Sequence, residues 1–406
     1  MTLRLAWRNI WRNPRRTGVI LAAVVVGVWS MVVLGALMDG VSRQMLRNAI
    51  STLTGSLQIH AAAYSADPVV DHSIEAPEGI GNALASALPP EAHWTERVRV
   101  NAVVHTARHS AGVTLVGMAP KREARVSFIG GAVAEGAYLA PDDPHGILVG
   151  RALAEDFDTA PGKRLVLMSQ DRNGEIASRA FTIRGVFQAE LAATEKRYMF
   201  VNLSAAQTML HLGDAVSEFA VLLPENAEAE PVAQRLREAL PDRYTVQPWR
   251  ELLPLIQVRL KMADRFRGIW YLVVFIAMGF GIVNTLLMAV FERMREFGLL
   301  KALGMKNGWI VREVLVESAL LLLLGIAAGN LLALTTAGIL ARTGIDLTAF
   351  AAGAEFAGIS RVIYPAIRVG EVLQANLVVL VLGLLVSLYP ALKAARFTPV
   401  AAMARP

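Results

Sequence analysis

The chain has 406 residues and a formal net charge of +6, with 54% hydrophobic and 18% charged residues. Soluble globular proteins carry about 25% charged residues, and here the apolar excess lies in a few long uncharged stretches, which excludes an entirely soluble enzyme and a disordered or fibrous chain. Because there is no cysteine, a disulfide framework, a thiolate zinc site and a cysteine nucleophile are excluded as well. The basic residues gather beside the apolar stretches, which favours contact with lipid headgroups over nucleic acid.

Residues 1–17 predict an amphipathic helix lying at the membrane surface. Tryptophan is expected at headgroup depth and arginine on anionic lipid, so Trp7, Trp11, Arg8 and Arg12 are candidate membrane-interface residues. The alternative is a plain basic flank with no helix. The apolar face holds Leu3, Trp7, Ile10 and Trp11, and the basic face holds Arg4, Arg8, Arg12 and Arg15.

Four stretches are long and apolar enough to cross a bilayer. Residues 18–38 contain no charged side chain, and about 20 residues at about 1.5 Å each reach about 30 Å, one hydrocarbon core. A cleaved signal peptide is the alternative for this first stretch, although its apolar region would run about 7–15 residues. The other predicted spans are residues 269–291, 318–341 and 372–392.

The distribution of basic residues predicts the orientation. Four spans place both termini on one side, where 13 Lys and Arg lie, against nine near the membrane ends on the other side. Because basic residues favour the cytoplasmic side, the termini are predicted to be cytoplasmic. The cytoplasmic segments are then 1–17, 292–317 and 393–406, and the outer segments are 39–268 and the short loop 342–371.

Residues 39–268 predict a soluble outer α+β domain arranged in two lobes, with 24 Lys and Arg against 27 Asp and Glu. Apolar residues repeat at helical spacing from Val41 to Leu53 and from Leu252 to Phe266, which predicts that spans one and two continue outward as stalk helices. Local amphipathic helices lying on the domain are the alternative. Between them we predict strands at 56–60, 97–104, 112–118, 165–169, 181–187 and 244–247, a turn at 171–174, a helix at 205–211 capped by Ser204, and a helix at 228–240.

Catalytic patterns are missing from the sequence. There is no GxxxxGK[ST] motif, so nucleotide phosphates are not bound by that route, and any ATP is expected to be hydrolysed by another chain. His105 and His109 have no evident third metal ligand, and the pairs Asp142–Asp143 and Asp156–Asp158 fit solvated turns. No Ser, His and Asp set stands out, and the chain is predicted not to be an enzyme.

Polar and small residues within the spans have structural interpretations. Glu317 lies close enough to a span end to reach the interface, and hydrogen bonds between helices are expected for Asn284 and Asn330. Gly325 and Gly329 form a GxxxG pattern, which is typical of closely packed membrane helices.

The segment between spans two and three carries the most specific motif. It reads Glu-Arg-Met-Arg-Glu-Phe-Gly-Leu-Leu-Lys-Ala-Leu-Gly from Glu292 to Gly304, and its mixed charges and apolar residues predict an amphipathic cytoplasmic connector. The motif resembles the signature of the FtsX-like, MacB-type permease superfamily of ABC transporters, and the layout is most similar to the lipoprotein-releasing (LolC/LolE-like) permeases. Gly117 to Pro120, Gly146 to Ala154, Pro161-Gly162 and the closing Tyr389-Pro390 with Pro399 are similar to the family too.

The resemblance implies the partners and the site. It implies a second permease, identical or homologous, and two copies of a separate ABC ATPase subunit that hold ATP and Mg, with no cofactor on this chain. The protein would lie in a bacterial inner membrane with its large domain in the periplasm. The connector would be the coupling helix, with candidate residues Glu292, Arg293, Arg295, Glu296, Gly298, Leu299, Lys301, Ala302 and Gly304.

Three functions are consistent with this layout. The first is extraction of a lipid-anchored or amphiphilic substrate, lipoprotein release being favoured, by mechanical transmission from the ATPase. The second is efflux with a periplasmic adaptor, and the third is a non-transporting relay to an outer partner such as a cell-wall hydrolase. Substrate-contacting residues are not marked by any motif.

Overall fold

The computed structural model describes residues 2–64, 67, 69–106, 108–224, 227–347 and 362–397, and it describes the side chains from residue 6 onward except that of residue 9. Pro399, the remainder of the predicted tail and residues 348–361 of the predicted short loop lie outside the described residues. The chain forms two compact units. We call residues 2–43, 259–347 and 362–397 the membrane unit, and residues 44–258 the outer unit.

The four longest elements are helices. In chain order the helices are α1 (Thr2–Arg12), α2 (Pro14–Ala49), α3 (Pro77–Ala87), α4 (Pro120–Glu123), α5 (Arg151–Asp156), α6 (Ala192–Arg197), α7 (Leu203–Met209), α8 (Ala229–Ala239), α9 (Trp249–Leu252), α10 (Pro254–Glu292), α11 (Met294–Ala302), α12 (Asn307–Thr343) and α13 (Val369–Arg396).

Strands lie mainly in the outer unit. They are β1 (Leu57–Ala61), β2 (His93–His105), β3 (Ser110–Met118), β4 (Val133–Gly136), β5 (Gly146–Gly150), β6 (Arg164–Gln170), β7 (Ile176–Phe187), β8 (Tyr198–Asn202), β9 (Glu218–Leu222), β10 (Tyr244–Pro248), β11 (Ile345–Asp346) and β12 (Val362–Ile363).

Each predicted span lies inside a longer helix. Helices α2, α10, α12 and α13 are long and apolar enough to cross a membrane. Helix α2 continues past the first span to Ala49, where a single π-helical turn, Ile50–Thr54, follows, and α10 begins at Pro254, ahead of the second span. The predicted stalks are therefore continuous with the membrane helices.

Small residues allow the membrane helices to pack closely. A β-carbon added at Gly325 would lie 2.6 Å from a Val24 side-chain carbon, and one at Gly329 would lie 2.8 Å from Val28. The GxxxG pattern of α12 therefore faces α2, as close packing requires. Asn330 donates a hydrogen bond of 3.1 Å to the Asn376 side chain on α13, which confirms its predicted role, whereas Asn284 lies exposed on α10.

Ten strands of the outer unit form one mixed sheet in the order β10-β1-β9-β2-β3-β8-β5-β7-β4, with β6 pairing β2 and β7. Apolar residues build two main cores on it. One core packs α3 and α8 against β1, β9 and β10, and the other packs α5 and α7 against β2, β3 and β5 to β8. The outer unit is thus the predicted α+β domain, and its strands form one continuous sheet.

Three of the strands that were not predicted are buried on both faces. Strands β5, β8 and β9 are buried almost throughout, so they lack the alternation of polar and apolar residues that marks a half-buried strand. The predicted cap of α7 was wrong: Asn202 is its N-cap and Ser204 lies in its first turn, because the helix begins directly after β8.

A fully buried ion cluster lies in the middle of the sheet. Arg97 on β2 donates to both carboxylate oxygens of Glu123, at 2.9 and 2.7 Å, and to Glu218 on β9 at 3.1 Å. It also donates to the carbonyl of Leu53. All three charged side chains are 0% exposed, so each depends on the others for charge compensation.

Candidate coupling site

The connector between α10 and α12 is a short helix between two turns. Helix α10 ends at Glu292, Arg293 leaves helical geometry with φ −99° and ψ 13°, and α11 then begins at Met294. After α11 the chain reverses at Gly304, whose φ is +91°, a conformation that favours glycine at a helix end. The amide of Gly304 donates to the Lys301 carbonyl at 2.9 Å, so the turn is closed by backbone hydrogen bonds.

One face of α11 packs into an apolar cluster of the membrane unit. Phe297 is 1% exposed, and Leu300 is partly buried beside it. Their neighbours come from the ends of three other helices that lie nearest α11, so α11 is held against all of them. These neighbours are Val290 on α10, Ile310 and Val314 on α12, and Ala391 and Ala394 on α13.

Arg293 is the centre of an ion network behind α11. Its guanidinium donates to Glu296 at 3.2 Å, to Glu313 at 2.9 Å and to Glu317 at 3.0 Å. Partial burial works to lower the pKa of Arg293, but the surrounding carboxylates outweigh it and raise that pKa above its ordinary value. Arg293 therefore remains charged and fastens α11 to α12.

The start of the chain joins the same network. Arg12 at the end of α1 pairs with Glu296 at 2.6 Å, and Arg16 on α2 lies 3.4 Å from both Glu292 and Glu317. Burial works to raise the pKa of Glu296, but hydrogen bonds from Arg12 and Arg293 hold it below its usual value. The amphipathic N-terminal segment is thus tied to the connector.

Lys301 links the connector to the last helix. Its ammonium donates to the carbonyl oxygens of Ala395 and, at 2.8 Å, of Phe397, at the end of α13. Carbonyls at a helix C-terminus have no partner within the helix and carry partial negative charge, so a lysine there is favourable.

The other face of α11 is exposed. Leu299 is 57% exposed and Leu303 is 77% exposed, and Arg295, Ala302 and Gly304 are exposed beside them. We call these five residues the connector face. Of the predicted coupling residues, Arg295, Leu299, Ala302 and Gly304 lie on it, Glu292 is exposed beside the network, and Arg293, Glu296, Gly298 and Lys301 face the membrane unit.

The network includes residues that sequence reasoning did not assign to this site. Arg16 belongs to the basic flank before the first span, and Glu317 lies near the end of a span. Glu313 has no distinctive sequence pattern. A carboxylate such as Glu317 just inside an apolar span is the available signal, because such a group needs a partner. Its partners, however, come from helices that are distant in sequence.

The N-terminal helix differs from its predicted two-faced pattern. Ile10 is fully buried in the membrane unit, whereas Trp7 and Trp11 are exposed and contact each other edge to face, with ring centroids 5.9 Å apart. Arg8 and Arg12 are exposed. Ile10 therefore belongs to a protein-facing side of α1, while the side chains of Leu3 and Arg4 lie outside the described residues.

Substitutions at the two ends of α11 test its geometry. We expect Gly304→Ala to lower substrate-coupled ATP turnover at least several-fold, because alanine is strained at φ +91°. Glu296→Gln is expected to act in the same direction by weakening both arginine contacts. The measurement is ATP turnover of the chain reconstituted with the ABC ATPase that the family resemblance implies, and membrane insertion is the control. Gly308 in the first turn of α12 has open space around it, so Gly308→Ala is expected to leave ATP turnover unchanged. Wild-type turnover in both the Gly304 and the Glu296 variants would contradict the prediction.

Comparison with known proteins assigns the two parts of the chain. A family model described as MacB-like periplasmic core domain matches residues 17–239, and one described as FtsX-like permease C-terminal matches residues 268–399. The first covers more than half of the chain, and the two together follow its division into an outer domain and a membrane-embedded C-terminal part.

The chain is also similar to individual proteins. The chain is 28% identical, over 99% of its length, to the pyoverdine export ATP-binding/permease protein PvdT of Pseudomonas aeruginosa, of which it spans 58%. It is 24% identical, over 78% of its length and 77% of the relative, to the lipoprotein-releasing system transmembrane protein LolC of Xylella fastidiosa. The periplasmic region of MacB from Actinobacillus actinomycetemcomitans, a solved structure, matches with TM-score 0.38 and 13% identity over 52% of this chain and 97% of that one.

The family assignment depends on the sequence models, and the four long apolar helices and the α+β outer unit agree with it. The chain belongs to the FtsX-like, MacB-type family of ABC transporter permeases and is related to the lipoprotein-releasing permeases LolC and LolE.

Proposed function

We propose that this chain is the permease subunit of an inner-membrane ABC transporter, in which ATP hydrolysis by a separate ATPase subunit drives extraction of a lipid-anchored or amphiphilic substrate. One observation carries the proposal. The connector face presents exposed Leu299 and Leu303, while the opposite side of the same helix is fastened by ion pairs and apolar contacts to the membrane helices. Such a helix is suited to transmit a displacement from a docked protein to the membrane helices.

Contacts of α11 connect it to two membrane helices and to the N-terminal segment. Arg293 joins α11 to α12, Lys301 joins it to α13, and Arg12 and Glu296 join it to the N-terminal segment. Close-packed helices transmit such a displacement as a body, since their contacts are not freely deformable. We infer mechanical transmission by two permeases, identical or homologous, on two ATPase copies, with no need for a pore through this chain.

The substrate class comes from the relatives. LolC is by its name part of a lipoprotein-releasing system, and PvdT is a pyoverdine exporter. Lipoprotein release is our preferred function because the alignment with LolC covers most of this chain and most of LolC. Export of an amphiphilic solute with a periplasmic adaptor is the second candidate, favoured by the higher identity to PvdT.

Reconstitution tests the proposal. The tagged chain is purified from its own host, the copurifying ABC ATPase is identified by mass spectrometry, and both are placed in proteoliposomes with a fluorescently labelled lipoprotein. We expect ATP-dependent release of the label. Stimulated ATP turnover without release of any lipoprotein would count against extraction. Drug or peptide sensitivity of a deletion strain with normal lipoprotein sorting would favour export, and loss of cell-wall hydrolysis alone would favour a relay.

Docking of the ATPase has its own test. We expect the double variant Leu299→Ser and Leu303→Ser to lose at least tenfold in affinity for the ATPase, because each exposed leucine buried in an interface contributes about 1.5–3 kcal/mol. Leu255→Ser is a matched control, since Leu255 on α10 is also 77% exposed but lies in the outer unit. Equal ATPase recovery with all three forms would remove the connector face from the docking site.

A further inference from the structure

One face of the outer sheet is polar across several neighbouring strands. Side chains alternate along a strand, and on β1 the apolar Leu57 and Ile59 enter the core beneath α3 and α8 while Gln58 and His60 point to the other face. The register places Gln58 opposite Gln247 on β10 and His60 opposite Glu218 on β9. On β2 and β3, Asn101 lies opposite Thr114.

This polar face lines a groove large enough for a small molecule. A cavity of about 500 Å³ is lined by Gln58, His60, Arg99 and Glu218 among others, and a second of about 520 Å³ is lined by Met168 and Ser169. The two cavities share Asn101, Thr114 and Arg197, so they are adjoining parts of one groove. Volumes of this size are typical of ligand sites.

The floor of the groove is organised by internal hydrogen bonds. His60 and Gln58 are hydrogen-bonded at 3.0 Å between Nε2 and Oε1, and the His60 ring stacks on Tyr64 with centroids 5.0 Å apart. The Tyr64 hydroxyl donates to the Arg99 carbonyl at 3.1 Å. These side chains are therefore preorganised, which lowers the entropic cost of binding.

The charges lining the groove leave one positive charge without a carboxylate. Arg97 and Arg99 are balanced by Glu123 and Glu218, and Glu251 at the groove is paired with Arg237 at 3.1 Å. Among the described residues no carboxylate pairs with the exposed Arg197. The guanidinium carbons of Arg197 and Arg99 lie 5.7 and 5.9 Å from the centroid of the same ring, that of Tyr198. Both arginines also line the same cavity, so an anion bound there is favoured by two positive charges.

We propose that this groove binds a small organic anion whose carboxylate or phosphate group contacts Arg197 and Arg99, and whose remaining polar groups hydrogen-bond to Asn101 and Thr114. Arginine suits this ligand because its planar guanidinium matches the geometry of both groups. The anion is either a free organic acid or a lipid headgroup. The site is a property of the outer unit and does not depend on the transport proposal.

Calorimetric titration of the full-length chain in phosphatidylcholine nanodiscs, without ATPase or nucleotide, tests the site. Citrate and glycerol 3-phosphate probe the free acids, and dihexanoylphosphatidylglycerol probes the headgroup. We expect saturable binding of at least one probe, weakened by added salt because the contact is ionic. Preference for the lipid over glycerol 3-phosphate identifies a headgroup, and the reverse identifies a free anion.

Variants locate the binding. Arg197→Gln is expected to weaken it about tenfold or more. Arg243→Gln is a matched control, because Arg243 is also exposed and lies over the ring of the adjacent Tyr244, 4.9 Å from its centroid, but outside the groove. Asn101→Asp, at an exposed strand position, provides a second test and is expected to repel the anion to a similar extent. The proposal is overturned if no probe binds, or if Arg197→Gln and Asn101→Asp both bind as tightly as Arg243→Gln.

Discussion

Replacing Arg293 with glutamine is expected to abolish coupling between the ATPase and the permease. Three carboxylates, Glu296, Glu313 and Glu317, lose the cation that joins them, and the Arg293 side chain is only 12% exposed. Removing one partner from a buried ion pair costs about 3–5 kcal/mol, because the remaining charge is left uncompensated. We expect α11 to lose its fixed position and substrate-stimulated ATP turnover to fall at least tenfold in the reconstituted complex.

Two further variants separate this effect from general damage. Arg293→Gln combined with Glu317→Gln also removes one of the carboxylates that Arg293 compensates, and it is expected to recover part of the thermal stability lost by the single variant. Arg312→Gln is the matched control: Arg293 lies over the Phe297 ring at 5.1 Å and Arg312 lies over the Trp309 ring at 5.3 Å, but Arg312 is exposed. Full coupling in Arg293→Gln, or an equal loss in Arg312→Gln, would refute the role of the network.

Replacing Arg97 with methionine is expected to destabilise the outer unit by about 3–5 kcal/mol. Glu123 and Glu218 are both 0% exposed; Glu123 would lose its hydrogen bonds from Arg97, and Glu218 would keep only the more distant Arg99 at 3.8 Å. Burial works to raise the pKa of Glu218, but Arg99 and Arg97 outweigh it and hold that pKa below its ordinary value, so the carboxylate is charged at neutral pH. Hydrogen exchange of β1, β2 and β9 in the full-length chain should accelerate by two to four orders of magnitude where exchange follows unfolding, as about 1.4 kcal/mol is tenfold.

A variant without charges in the Arg97 cluster shows whether the destabilisation comes from lost charge compensation or from lost packing. Arg97→Met with Glu123→Gln and Glu218→Gln removes every charge, and we expect its exchange rates to lie much nearer those of the wild type. Arg122→Gln serves as the control, because Arg122 pairs with Glu96 at 2.7 Å but is 51% exposed, and exposed pairs contribute about 1 kcal/mol or less. A single Arg97 variant as protected as Arg122→Gln would disprove the compensation argument.

Features encoded by neighbouring residues were predictable. Uninterrupted apolar stretches marked the four spans, because the length of such a stretch alone decides whether it crosses a bilayer. Alternating residues marked β1, β2 and β7, and the motif ending at Gly304 marked both the connector and the glycine that its final turn requires. The family followed from that motif and its position.

The orientation of the connector could not be predicted. Phe297, Leu299 and Leu300 are all apolar, yet Phe297 is buried and Leu299 is exposed. Which apolar side of a short helix faces the protein depends on the helices that pack against it, and those come from elsewhere in the chain. The same is true of Glu296, which the motif marks as a surface charge and which pairs instead with Arg12.

The sequence by itself determined the membrane-crossing segments, the α+β class of the outer domain and the place of the connector motif, since each depends on composition or periodicity within a short window. Only the tertiary structure decided the partners of Arg293, the buried cluster around Arg97 and the groove beside Arg197. Arg12 and Glu296, for example, are separated by 284 positions. Charges attract through space, and no local pattern records which distant residue the fold brings within 3 Å.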